Sequence, residues 1–263
     1  MAAPERVGGS LRRPFMLLQA RNHDDPMLQH EVQCFAHAMG LEADDLVVFN
    51  AVDRLPSSAE VRQVCAVLMG GSGDYSVLDS HAWIKALIAW VRDELVLSGK
   101  ATFASCFGFQ ILVLAIGGRM MRDYANTEMG TYDLKLAPAG RDDPLFAHLP
   151  ALFRAQVGHH DRAVTLPHGV HTLASTPACP VHAFRVGHLP IWATQFHPEL
   201  GVDALRTRYM HYRALYAPES AGIAIEDDPF LSGLRPSDEA SLCLALFTRW
   251  VEEHERELES LNL

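Results

Sequence analysis

One stretch constrains this chain more than any other: Thr102-Phe103-Ala104-Ser105-Cys106-Phe107-Gly108-Phe109-Gln110. A short apolar run reaches a single Cys, passes a Gly, and continues as Ile111-Leu112-Val113-Leu114-Ala115-Ile116 until Gly117-Gly118 stops it. The pattern predicts strand, tight turn and helix, with Cys106 at the turn. Nucleophile elbows have this form, because small residues beside a strained turn let strand and helix approach. Ala104 and Gly108 hold the flanking positions. A Cys there faces the partial positive charge of a helix N-terminus, which favours thiolate. The N–H of Phe107 would be free to stabilise an oxyanion. The segment also suits a buried structural thiol, since free Cys is among the most buried residue types. Residues far downstream bear on that choice.

The elements before it are ordered. Pro14–Ala20 is a buried-strand candidate, and Met27, Leu28, Val32, Phe35, Ala36 and Met39 recur at helical spacing up to Gly40. Asp45–Asn50 reads as a second strand and Val64–Met69 as a third, without polar alternation, as in a sheet covered on both faces. Ile84, Leu87, Ile88, Val91 and Leu95 share one face of a helix over Trp83–Leu97. Alternation of this kind predicts a parallel sheet, right-handed crossovers and a site at the carboxyl ends of the strands. Gly70-Gly71-Ser72-Gly73-Asp74 and Cys106 both follow such ends. The Gly run lacks a P-loop Lys-Ser/Thr and GxGxxG spacing, so it reads as a loop or as a source of oxyanion amides.

From Arg119 the texture changes to short β-rich pieces. Ala155–Val157, the loop Gly158-His159-His160-Asp161, and Ala163–Pro167 suggest strand, loop, strand. Val181–Val186 and Ile191–Phe196 flank Gly187-His188-Leu189-Pro190, a hairpin signal. The second strand ends in His197-Pro198-Glu199. Pro biases its predecessor toward extended backbone, where residues two apart point the same way. His197 and Glu199 are therefore expected to project together, as an imidazole oriented by a carboxylate. The same tripeptide also reads as a strand-end His beside a solvated Glu. Helical spacing resumes over Asp203–Tyr216, and a last helix from Ser237 carries Leu242, Leu246, Trp250 and Val251 on one face.

Composition narrows the function classes. A net charge of −10 argues against nonspecific binding to nucleic acid or anionic membrane. No run of about 18 apolar residues is present, so no membrane span is expected. The first thirteen residues lack a signal-peptide core and read as a disordered leader, which places the chain in the cytoplasm. Five Cys without CxxC spacing argue against a disulfide framework, and Cys34, Cys65, Cys179 and Cys243 read as structural or incidental. The fourteen His include no HExxH or zinc-finger spacing. His159-His160-Asp161 is the one trio suggestive of a metal, and no metal or other cofactor is expected.

Taken together, Gly70–Gly73, Cys106–Gln110, Gly158–Asp161 with Leu166-Pro167, and Gln195–Leu200 resemble a class I glutamine amidotransferase domain, closest to the glutaminase part of GMP synthase and its stand-alone relatives. The resemblance covers roughly Phe15 to Tyr216. It implies a three-layer, doubly wound, mostly parallel α/β sheet of flavodoxin-like form. A β-rich C-terminal half and a C-terminal helix, within an extension from residue 217, would complete it. It also implies Cys106 as nucleophile, His197 as base and Glu199 as its orienter. Gly71 and Phe107 would give the oxyanion amides, and Gln110, His159 and Asp161 would bind substrate. Ala104 stands where the family usually has Gly, and Ser105 where an aliphatic is usual. No Ser-Gly-Gly-Xaa-Asp-Ser pyrophosphatase motif is present. The expectation is cleavage of a γ-glutamyl amide through a glutamyl thioester, with any ammonia acceptor carried by a separate synthetase. Two alternatives share the fold: a γ-glutamyl peptide hydrolase, and a binding or regulatory module.

Overall fold

Residues 13–216 and 222–261 are described by a computed structural model. The expected leader lies outside these residues except for Arg13, whose guanidinium pairs with Glu255 near the other end of the chain.

Strands and helices alternate as the apolar pattern requires. β1 (Phe15–Gln19), α1 (Met27–Met39), β2 (Leu46–Asn50), α2 (Ser58–Gln63) and β3 (Val67–Met69) come first. α3 (Ala82–Trp90), β4 (Thr102–Ser105) and α4 (Phe107–Ala115) follow, and a π-helical segment over Val91–Val96 extends α3. The β-rich half holds β5 (Arg119–Arg122), β6 (Glu128–Leu136), β7 (Leu152–His159), β8 (Asp161–Thr165), β9 (Val170–Ser175), β10 (Ala183–Val186) and β11 (Ile191–Thr194). α5 (Val202–Tyr216), α6 (Pro229–Ser232) and α7 (Asp238–Leu261) close the chain.

Nine strands form one sheet in the order β2-β1-β3-β4-β11-β10-β9-β6-β7. The first five pair in parallel, and the remaining strands extend the sheet antiparallel through the β10–β11 hairpin. Successive residues of a strand face opposite sides, and β1 shows the consequence. Phe15 and Leu17 enter one core with Phe35, Phe103, Trp192 and Phe247. Met16 and Leu18 enter the other with Ile84, Leu87, Ile111 and Leu112. Helices α1 and α7 thus cover one face, and α3 and α4 the other.

Two local expectations are corrected, and one strand was not anticipated. Gly158-His159-His160-Asp161 is not a loop: β7 runs through His159, one residue turns the chain, and β8 leaves to pair with β5 in a separate two-stranded sheet. β6, which carries Glu128, had no sequence counterpart, because the buried positions of its first half hold Glu128 and Gly130, which show no apolar alternation. On α7, Leu242 is 45 % exposed, while Ala240, Cys243, Leu244, Phe247 and Val251 are buried. Leu246 and Trp250 pack only partly against that core. The buried stripe is rotated because Phe247 inserts among Phe15, Phe103 and Trp192, with ring centroids 5.5–6.5 Å apart.

Helix α7 is therefore one wall of a core and belongs to its cooperative unit. Phe247→Ala is expected to cost about 3–5 kcal/mol in reversible denaturant unfolding, the usual penalty for emptying a buried aromatic site. A change below about 1 kcal/mol would show that α7 is an appendage.

Candidate active site

The strand-to-helix junction fixes the position of Cys106. Its backbone has φ 49° and ψ −101°, and among the described residues it is the one non-glycine at positive φ. Such backbone is strained for an L-residue and persists only where its surroundings over-determine it. They do so here. Cys106 N donates to Thr194 O at 2.8 Å, and Gly108 N donates to Gly70 O at 3.0 Å. A Cβ on Gly108 would lie 2.6 Å from Met69 Cβ and 2.8 Å from Met69 O, so only Gly admits α4 this close to β3. Ala104 sits in the core between Met69 and Ala193 in register. The extra methyl is thus housed without loss of the elbow. Ser105 Oγ is buried with no hydrogen-bond partner.

His197 and Glu199 meet, though not in extended backbone. Leu200 N donates to His197 O at 3.2 Å, so Pro198 and Glu199 lie in a turn. Pro pre-sets φ for the first central turn position. The turn brings His197 Nδ1 to 2.7 Å from Glu199 Oε1 and leaves Nε2 for the Cys106 side. Burial opposes charging His197. The Cys106 sulfur and the Glu199 carboxylate outweigh that penalty, so its pKa is raised to about 10. Burial likewise opposes ionising Glu199, yet His197 and Arg208 hold its pKa down to about 2.

Gly71 is in the site, but its amide is not directed into the cleft. Its N–H donates to Glu31 Oε1 at 3.1 Å. The expectation that Gly71 supplies an oxyanion amide is not met in this conformation, because its N–H already donates to a buried carboxylate. What Gly71 does supply is space: a Cβ there would be 3.0 Å from His197 Cε1. Phe107 is the first residue of α4, and first-turn amides of a helix have no intrahelical acceptor.

The expected substrate-binding residues separate. Gln110 Nε2 donates to Asp161 O at 3.3 Å and lies 3.4 Å from Gln195 Oε1. Asp161 accepts from Ser76 Oγ and, at 3.2 Å, from Arg122 Nε. His159 turns its ring away toward Glu128, 3.3 Å off, and His182. A cleft of about 290 Å³ runs past Cys106, lined also by Ser72, Tyr75, Phe107, Gln110, Arg122 and Tyr216.

Three contributors had no role in the sequence reading. Gln195 Nε2 approaches Cys106 Sγ at 3.8 Å. Arg208 on α5 reaches Glu199 Oε1 at 3.2 Å. Glu31 on α1 binds Arg21 through two hydrogen bonds and also holds the Gly71 amide. Each is a polar residue on an otherwise ordinary segment, and only burial distinguishes it.

Comparison with known proteins bears on the family and the fold. The family model for glutamine amidotransferase class-I matches residues 52–215, more than half of the chain. The glutamine-hydrolyzing GMP synthase subunit of Methanocaldococcus jannaschii is 34% identical over 108 residues, covering 41% of this chain and 55% of that protein. The corresponding protein of Pyrococcus abyssi is 33% identical over 106 residues, 38% of this chain and 54% of that protein. The match thus spans about half the length of these relatives. Among solved structures, a glutamine amidotransferase from Thermotoga maritima superposes with TM-score 0.70 at 17% identity, covering 91% of this chain and 99% of that one. At that identity the likeness concerns the fold. With a family match running through the elbow and across the His197 turn, the chain belongs to the class I glutamine amidotransferases.

Proposed function

We propose that this chain cleaves the side-chain amide of glutamine and delivers the ammonia to a separate synthetase subunit. The observation that carries the reading is a backbone-strained Cys106 held against an imidazole that Glu199 orients and charges, with Arg208 keeping that carboxylate ionised. The named relatives, which are glutamine-hydrolyzing GMP synthase subunits, favour glutamine as substrate and a partner as ammonia acceptor.

His197, already an imidazolium, holds the proton while Cys106 Sγ attacks the γ-carbonyl carbon. The carbonyl π pair moves to oxygen, where the Phe107 amide donates; one such donor is worth roughly 3 kcal/mol of barrier. His197 gives that proton to the leaving nitrogen, and the C–N bond breaks to give ammonia and a glutamyl thioester. His197 then takes a proton from water, the hydroxyl adds to the thioester, and glutamate leaves with Cys106 restored. For Gly71 to act as a second donor, its amide must be released from Glu31. Arg122, at the cleft wall, suits the α-carboxylate of the amino acid. The reacting unit is residues 14–216.

Cys106→Ala is expected to abolish glutamine hydrolysis with the unfolding midpoint nearly unchanged. Turnover equal to the parent protein, measured as glutamate released, would remove Cys106 from the mechanism. A panel of γ-glutamyl peptides assayed beside glutamine checks the leaving group, and faster cleavage of the peptides would assign a γ-glutamyl hydrolase instead.

The imidazolium of His197 is present below its raised pKa of about 10 and is lost as pH rises through it. The alkaline limb of kcat/KM should therefore lie near 10. Glu199→Gln removes one of the charges that raises it. The limb should fall toward the ordinary imidazole value of about 6.5, with kcat lower by about 10²–10⁴-fold. An unmoved limb would contradict the electrostatic coupling.

Gly71→Ala places a methyl against His197 Cε1. Ring displacement of a few tenths of an ångström should lower kcat about 10-fold, in keeping with roughly 100-fold per ångström of misplacement. Unchanged kcat would mean that the ring has room to spare.

A further inference from the structure

We propose that Glu128, His159, Cys179 and His182 form a structural zinc site behind the β7 wall of the cleft.

The four residues are far apart in sequence and close in space. Glu128 opens β6 and faces His159, at the end of β7, as its direct register partner. Cys179 lies in the β9–β10 connection, and His182 just precedes β10. One ligand atom from each can be chosen so that all four lie within 4.8 Å of one another, and all four residues are buried. A tetrahedral zinc with bonds of about 2.0–2.3 Å has ligand–ligand edges of roughly 3.3–3.8 Å. The cluster therefore needs to contract at its long edges. At the His182 Nε2–Glu128 Oε2 contact, now 2.7 Å, it needs to widen.

Hydrogen bonding within the protein leaves this cluster incomplete. His159 Nδ1 and Nε2 and His182 Nδ1 are buried without a hydrogen-bond partner. His159 Nε2 is 3.3 Å from Glu128 Oε2 but lacks hydrogen-bond geometry, and that same oxygen already serves His182. The other oxygen, Oε1, is taken by Thr176 Oγ1 at 2.7 Å. Two imidazoles thus converge on one carboxylate oxygen. Buried polar atoms are rarely left in that state without an ion or water to account for them.

The donor types select the metal. Thiolate, imidazole and carboxylate together are zinc ligands, whereas magnesium and calcium take oxygen alone. Charge also balances. A divalent ion with one thiolate and one carboxylate is neutral, as a buried site requires. On binding, Cys179 gives up its thiol proton to solvent. Four protein ligands leave no open position, so the site is structural and not catalytic.

Surrounding bonds already act as an outer shell. Thr176 Oγ1 accepts from Cys179 N at 2.9 Å while donating to Glu128, and Thr176 N donates to Cys179 O at 2.9 Å. The position suggests a consequence for the neighbouring cleft. His159 lies between Gly158, whose carbonyl is 3.8 Å from Cys106 Sγ, and the cleft-lining His160 and Asp161. A metal on His159 would pin that wall.

The test uses the full chain, expressed with zinc supplied and purified without chelator. Elemental analysis is expected to give about one zinc per chain, retained by Cys106→Ala and lost from Cys179→Ser and from His182→Gln. Stripping with chelator should lower the thermal midpoint, and added zinc chloride should restore it. Metal-free parent protein titrated with cobalt chloride provides a readout should the variants fold poorly. Tetrahedral visible bands with a sulfur-to-cobalt charge-transfer band are expected, and displaced by zinc. Parent protein with neither zinc nor a cobalt spectrum would overturn the proposal. So would metal that survives in Cys179→Ser, or that disappears only in Cys106→Ala.

Discussion

Four buried charges behind the cleft hold this structure to its shape. Arg21, Glu31, Glu199 and Arg208 are all within 6 % of full burial. Arg21 binds Glu31 through two nitrogens, and Arg208 bridges from Glu199 at 3.2 Å toward Glu31 at 3.7 Å. A buried charge is tolerable only when paired, and removing one partner exposes the full desolvation cost of the other. The four come from the end of β1, from α1, from the turn after β11 and from α5. Those elements are therefore tied to one another before any apolar packing is counted. Gly70 belongs to the same constraint, since a Cβ there would lie 2.6 Å from a Glu31 oxygen.

Reactivity is assembled on top of that frame. The sheet delivers β4 and β11 side by side in parallel, which puts the elbow and the His197 turn at neighbouring strand ends. The electrostatics then follow from burial. An imidazole between sulfur and carboxylate gains its charge, and the carboxylate keeps its own with help from Arg208. Arg208 thus couples the charge frame to the imidazole through a single carboxylate. The Gly71 amide is the one piece turned toward the frame instead of the cleft.

The β-rich half serves as the opposite wall. Hydrophobic alternation marks its strands weakly, because β6 and β8 are partly exposed and the sheet there is covered unevenly. That is why β6 and Glu128 carry no sequence signal, and why Gly158–Asp161 reads as a loop. The same cause hides the side-chain directions of His159, His160 and Asp161. His160 turns the chain between β7 and β8, which belong to different sheets, so His159 goes to Glu128 and His182, while Asp161 meets Ser76 and Arg122.

The amino-acid order alone determined the alternation of strands and helices up to Gly118, the elbow at Cys106, and the pairing of His197 with Glu199. These are local features: apolar period, a Gly admitting close approach, and a Pro-stiffened link two residues long. Even there the link proved to be a turn and not an extended run. Tertiary structure decided whatever depends on residues distant in sequence. Glu31 capturing the Gly71 amide, Arg208 reaching Glu199, Gln195 beside the sulfur, Phe247 rotating the buried face of α7, and four ligand-type side chains converging at β7 are all of this kind. The physical reason is that a polar side chain carries no periodic signal. Its role is set by which partner it meets once water has been excluded.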